Sequence, residues 1–176
     1  MVTARLVRVT ELQRHPSAAP QTITFLFADL REYTAFVERF GDAAATTLIG
    51  DYRRIVRAEV ARAAGGEVKT EGDSFYVVFS AARAAVSCGI AILREAERYS
   101  RDRPDRAMRV GVGIHAGEPV PHEGQYVGAA VIVAARLAQQ AQAGELLVSD
   151  VVRALLPREV APPMSEREGL SLKGIE

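Results

Sequence analysis

The stretch at residues 22–30, TITFLFADL, limits the fold more than any other part of the chain. It is β-branched, aromatic and apolar nearly throughout, so both of its faces need cover, as in the central strand of a sheet. It breaks off at an acidic residue, Asp29. The next stretch, EYTAFVERFGDAAATTLIGDYRRIVRAEVARAAGG, carries Phe36, Phe40, Leu48, Tyr52, Ile55, Val56 and Val60 at helical spacing. The pair Gly65-Gly66 stops it, and Gly41-Asp42 divides it into two helices. EVKTEGDSFYVVFS then reads as a hairpin, turning at Glu71-Gly72-Asp73 into a stronger strand, Ser74–Phe79.

Residues 81–98 place Ala84, Ala85, Cys88, Ile92 and Ala96 on one face of a third helix. MRVGVGIHAGEPV is a strand with glycine at positions 111 and 113, so something packs closely on that face. VGAAVIVAARLAQQAQ is a fourth helix ended by Ala143-Gly144. ELLVSD is a strand, and SDVVRALL a last helix with Ser149 or Asp150 as N-cap. Residues 1–21 alternate at LVRVT and turn polar around Pro16 and Pro20, a lead-in with room for one strand. The order β-αα-ββ-α-β-α-β-α predicts an α+β fold, a mixed sheet with helices packed on one face.

Composition narrows the function classes. A chain of 176 residues is one domain or at most a domain with an appendage, and at that length it can bury roughly 70% of its unfolded surface without staples. Lys+Arg 22 balance Asp+Glu 22, so no global field draws in nucleic acid or anionic lipid. Cys88 is the single cysteine, which excludes an intrachain disulfide and a multi-thiol metal site. It sits among Ala, Val and Ile as a small core hydrophobe. No apolar run reaches ~18 residues, and Met1 opens no leader pattern. The expected setting is the cytoplasm.

Two carboxylates stand out against this background. Each has an ordinary reading: Asp73 as a turn-former and Asp29 as a helix N-cap. If the first strand lies beside the hairpin, however, both reach the same sheet edge. Two convergent carboxylates suit a hard cation, and Mg²⁺ completes its shell with phosphate oxygens. His15, His115 and His122 are too scattered to suggest a base, and His115 reads as a packed histidine.

FLFADLREYT, EVKTEGDSFYVVF, VGIHAGE, YVGAAVIVAARLA, GELLVS and LKGI resemble, in order and spacing, the class III nucleotidyl cyclase catalytic domain. The resemblance covers residues 22–176 and implies a ferredoxin-like fold that cyclises a nucleoside triphosphate. It matches Asp29 and Asp73 to the aspartates that hold two divalent cations, Mg²⁺ or Mn²⁺, with the backbone carbonyl of Leu30 as a further ligand. Lys69 matches the base-recognising lysine of adenylate-specific members, which favours ATP. Arg136 matches an arginine that stabilises charge on the α-phosphate, and Lys173 a lysine on the nucleotide phosphates. It further implies a head-to-tail homodimer, with the aspartates from one subunit and Lys69, Arg136 and Lys173 from the other. Family members continue into a closing strand past this point, so the resemblance also implies a catalytic domain cut from a longer protein.

Three positions depart from the family pattern. Ile132 stands where an asparagine positions the ribose; the loss of such a contact is worth ~10²–10³ in rate by analogy with a lost oxyanion donor. On a helix reading VGAAVIVAARLA, Ile132 is expected to pack against apolar neighbours. Gln125 stands where adenylate cyclases carry Asp or Thr, and its amide can both donate and accept. Glu32 stands at the glycine of the phosphate-cradling turn, where a negative charge is unhelpful unless it points to solvent. These departures carry the alternative reading, a cyclase-fold domain weakened in catalysis that serves as a nucleotide-binding or dimerisation module.

Overall fold

The computed structural model describes residues 21–159 and 161–167. The lead-in up to residue 20 and Lys173 lie outside the described residues. The chain runs β1 (Ile23–Leu30), α1 (Tyr33–Arg62), β2 (Gly66–Glu71), β3 (Ser74–Phe79), α2 (Ala82–Asp102), β4 (Val110–Gly117), β5 (Val120–His122), β6 (Gln125–Val127), α3 (Ala129–Gln140), β7 (Leu146–Val148) and α4 (Asp150–Leu155).

The main sheet has the order β2-β3-β1-β4-β7. β1 is central and antiparallel to both β3 and β4, while β7 joins β4 in parallel. The first six elements form a βαββαβ unit, the ferredoxin-like arrangement. β1 is covered on both faces, as its unbroken apolar run requires. Leu26, Ala28 and Leu30 face a core built with Leu48, Tyr52 and Val56 of α1 and Ala85, Val86 and Ile92 of α2. Ile23 and Phe25 face the other way, toward Tyr76 and toward Ala130 and Ala134 of α3.

Helices therefore cover both faces, and the expectation of a one-faced helical layer is corrected. The reason lies in β4. A Cβ at Gly113 would sit 2.0 Å from the Ala138 backbone nitrogen, and one at Gly117 would sit 2.8 Å from Ala130 Cβ. The glycines are a track on which the α3 backbone lies directly against the sheet.

Other boundaries follow local chemistry. α1 breaks at Gly41, whose backbone is non-helical, so the expected division into two helices is present. The helix ends at Arg62, ahead of the expected stop, and the left-handed residue is Ala64 rather than a glycine. Gly65 serves packing instead: a Cβ there would lie 2.5 Å from the Phe79 ring. The expected strand through EPV ends at Gly117, and residues 120–127 form a separate small hairpin, β5–β6. The fourth helix accordingly starts at Ala129 instead of Val127. Ser149 caps α4, its hydroxyl accepting from the Val152 N–H at 3.3 Å.

Candidate functional site

Asp29 is the last-but-one residue of β1, not a helix cap; the cap position of α1 belongs to Glu32, whose side chain makes no capping bond. The β1–β3 register ends at Ala28↔Phe75, which brings Asp29, Leu30 and the turn at Asp73 to one end of the sheet. That turn has a two-residue loop, Gly72-Asp73, closed by the Glu71↔Ser74 pair. Positive φ occurs at Gly72 alone, the pattern of a type II′ turn. Arg53 of α1 donates to the Gly72 carbonyl at 2.5 Å and ties the turn to the helix beneath it.

The two carboxylates act on each other. Burial, then the negative charge of Asp73, push the Asp29 carboxyl up to about 6, against an opposing pull from Arg31. Arg31 Nη1 lies 3.5 Å from Asp29 Oδ2. Tyr52 sits under the pair, fully buried and stacked edge-on against Phe75, and its hydroxyl has no hydrogen-bond partner among the described residues. Burial, with the charges of Asp29 and Asp73, raises its ionisation well above the ordinary tyrosine range. Two like-charged carboxylates brought together at one end of the sheet form a site that a hard divalent cation would relieve. Among the described residues there is no cluster of three or more His, Cys, Asp or Glu side chains. Such a cation would therefore take two carboxylates and draw its other oxygens from backbone, water or a phosphate ligand. The donor set fits Mg²⁺ or Mn²⁺. Leu30 is paired with Val110 at the same sheet end.

The remaining expected residues stand apart from this pair. No hydrogen bond or ion pair among the described residues joins Lys69, Gln125 or Arg136 to Asp29 or Asp73. Lys69, on β2, is exposed and pairs with Glu71 at 3.1 Å. Gln125 is exposed at the start of β6. Lys69 is the register partner of Tyr76, and the Tyr76 hydroxyl donates to the carbonyl of Tyr126, the residue after Gln125, at 3.2 Å. Arg136 lies on α3 and donates to Gln139 of its own helix at 2.9 Å. Ile132, one turn earlier, is 51% exposed, so the expectation that it packs in the core is overturned. α3 turns Ala130, Ala134, Leu137 and Ala138 inward, which leaves residue 132 outward. Glu32 turns its carboxylate to Arg109, 2.6 Å away, and keeps a left-handed backbone at φ 59. His115 is half-buried, with Nδ1 2.7 Å from Ser149 Oγ, and burial lowers its pKa. Cys88 is buried, and burial pushes its thiol up to about 12, so it stays a thiol.

Three participants at the aspartate pair escaped the sequence reading: Arg31, Tyr52 and Arg53. Arg31 had a readable signal, because two residues beyond Asp29 it projects from the same strand face. Tyr52 and Arg53 had none beyond their place in an amphipathic helix.

A ferredoxin-like sheet with a carboxylate pair at the joint end of β1 and the β2–β3 hairpin, and a helix laid on its open face, defines a nucleotidyl cyclase catalytic domain. A family model of the adenylate and guanylate cyclase catalytic domain matches residues 16–176, and the chain belongs to that family. It is similar to a putative adenylate cyclase 3 of Rhizobium meliloti, 31% identical over 126 residues, which cover 71% of this chain and 22% of the relative. It is also similar to an adenylate cyclase of Streptomyces griseus, 30% identical over 166 residues, covering 94% of this chain and 40% of that one. The chain thus spans well under half the length of these relatives. Among solved structures, an adenylate/guanylate cyclase/hydrolase from Silicibacter pomeroyi superposes with a TM-score of 0.80 at 29% identity, covering 89% of this chain and 91% of that chain.

Proposed function

We propose that residues 22–176 form a metal-dependent cyclase domain that converts ATP to 3′,5′-cyclic AMP and pyrophosphate as a head-to-tail homodimer. The observation that carries this reading is the convergence of Asp29 and Asp73 at one sheet end, with the Asp29 carboxyl held up to about 6. Asp29, Asp73 and the Leu30 carbonyl would hold two divalent cations. Bound there, those cations favour ionisation of the ribose 3′-hydroxyl and neutralise the departing pyrophosphate.

The chain's own residues supply the rest. Lys69 and Gln125 would read the base, the lysine accounting for the preference for adenine. Arg136 would offset charge gathering on the α-phosphate as the ribose oxygen attacks in line, and Lys173 would hold the outer phosphates. Within one subunit, Lys69 pairs with Glu71 and Arg136 with Gln139, and neither bonds to the aspartates, which suits a site completed by a second copy. A cytoplasmic setting goes with a nucleoside triphosphate substrate. No described helix is long and apolar enough to cross a membrane.

The alternative, a weakened domain that binds nucleotide without much turnover, draws on the exposed Ile132 at the ribose-positioning place. Purified protein with Mn²⁺ and each of the four nucleoside triphosphates, with products resolved by chromatography, separates the two. Cyclic AMP as the dominant product supports the enzyme. Nucleotide binding without cyclic product supports the alternative, and a different cyclic nucleotide overturns the assignment to ATP.

A further inference from the structure

Arg31 occupies a place that neither the fold nor the site residues above explain. Its backbone N–H donates to the Arg109 carbonyl at 2.7 Å, one step past the end of β1. That bond fixes the side chain on the same face as Asp29. The guanidinium then does two things at once. Nη1 lies 3.5 Å from Asp29 Oδ2, and Nη2 donates to the carbonyl of Ala138 in the last turn of α3. Its Nε is buried and has no partner among the described residues.

The slot that holds this group exists because residue 111 is glycine. Gly111 is the register partner of Asp29 on β4. A Cβ there would lie 2.5 Å from Arg31 Nε, 2.7 Å from Nη2 and 2.9 Å from the Ala141 carbonyl. A guanidinium fork can serve a carboxylate and a helix C-terminal carbonyl together, and the helix end favours the cation.

Resting on the cyclase reading above, we propose that Arg31 is a positioning residue that ties the cation-binding carboxylate Asp29 to α3, the helix that carries Arg136, and tempers the hold of Asp29 on a divalent cation. Its positive charge already offsets part of the charge of Asp29, and a dication entering the site meets a like charge a few ångströms away. The same contact holds Asp29 for its own site and pins the end of α3 two residues beyond Arg136, which in the head-to-tail dimer serves the second site. Loss of Arg31 therefore moves two quantities in opposite directions: cation binding tightens, and turnover falls.

The test compares wild type with Arg31→Gln, Arg31→Lys and Gly111→Ala. Binding of Mn²⁺ alone is followed by electron paramagnetic resonance, next to kcat, nucleotide KM and melting temperature. Arg31→Gln is expected to bind Mn²⁺ roughly five- to tenfold more tightly, as loss of one nearby unit charge implies. Its kcat should fall about tenfold or more, with nucleotide KM within about threefold, the pattern of an interaction used in the transition state. Arg31→Lys, a point charge without the fork, should restore wild-type Mn²⁺ affinity but not kcat. Gly111→Ala should push the guanidinium out of its slot and reproduce Arg31→Gln. A lower melting temperature in Arg31→Gln with Mn²⁺ affinity and kcat unchanged would overturn the proposal and leave Arg31 a helix tether only. If wild type makes no cyclic product the cyclase reading fails by itself. Mn²⁺ affinity in the variants still decides the role of Arg31, and unchanged affinity overturns it.

Discussion

Asp29, buried beside Asp73, is costly to keep ionised in the metal-free protein, and the cost has a sign. A carboxyl raised to about 6 in the folded chain, against about 3.9 unfolded, favours the folded state most fully below pH ~4. That contribution is lost as pH rises through 6. Metal-free protein should therefore lose melting temperature between about pH 4 and 6.5, with little further change above, and Asp29→Asn should flatten this slope. The amide should also raise the melting temperature at pH 8 in chelator, by about 2–4 °C for each kcal/mol of relieved repulsion. Turnover should vanish in the same variant, because one cation-holding oxygen set is gone. Scanning calorimetry across pH, with chelator and then with Mn²⁺, checks this; a wild-type slope retained by Asp29→Asn would place the repulsion elsewhere. A cation that displaces the proton should reverse the slope, and its affinity should rise through pH 6. The same trade of stability for a charged site appears at Glu32, which keeps a left-handed backbone although a glycine would be free of that strain.

Among the elements, α3 decides most. Its inward face is small, and the sheet beneath it is glycine, so helix and strand backbones touch. Gly113→Ala would put a methyl 2.6 Å from Ala138 Cα, against backbone that cannot rotate away. Overpacking of this kind costs roughly 1–3 kcal/mol or more, and α3 would lift from β4. The expected reading is a lower denaturation midpoint with turnover lost, since Arg136 rides on that helix; an unchanged midpoint would mean that α3 is not held by this contact. On the outward face of the same helix, Ile132→Asn is predicted to be mild. A residue 51% exposed should change stability by less than about 0.5 kcal/mol. If the amide contacts the ribose, kcat rises with little change in KM, because the contact strengthens as the oxygen approaches phosphorus. An unaltered kcat would remove residue 132 from the site.

These elements also show what sequence pattern can carry. β1 was legible because nine successive residues are nearly all apolar, and the β2–β3 hairpin because Gly72 supplies the positive φ that its turn requires. The β5–β6 hairpin was not, since two three-residue strands in the open leave no alternation to read. The face covered by α3 was hidden for another reason: glycines announce a close approach but not its direction. At the site, the meeting of Asp29 with Asp73 followed from topology alone. The guanidinium between Asp29 and α3 did not, because it needs the register of β1 on β4.

At the scale of the whole molecule, no hydrogen bond or ion pair among the described residues of one subunit joins the two halves of the proposed chemistry. The aspartates lie at one end of the sheet, and Lys69, Gln125 and Arg136 make no bond to them. Val120, Val127 and Ile132 are exposed on β5, β6 and α3, an apolar surface of the kind that partners cover. If a second copy supplies the missing half by a two-fold arrangement, each dimer has two equivalent sites, each drawing aspartates from one chain and Arg136 from the other. Asp29→Ala and Arg136→Ala should then each be inactive alone. In a mixed dimer, one site collects both damaged halves and the other collects both intact ones. Equal mixing with free exchange makes half of all dimers mixed, with one good site of two, so about a quarter of wild-type turnover should return. The mixture is assayed for cyclic product after exchange has been shown by mass-tagged subunits. Recovery well below that level, with mixed dimers present in number, would mean that each chain builds its site alone, and that Arg136 must then reach Asp29 by a movement of α3 within one subunit.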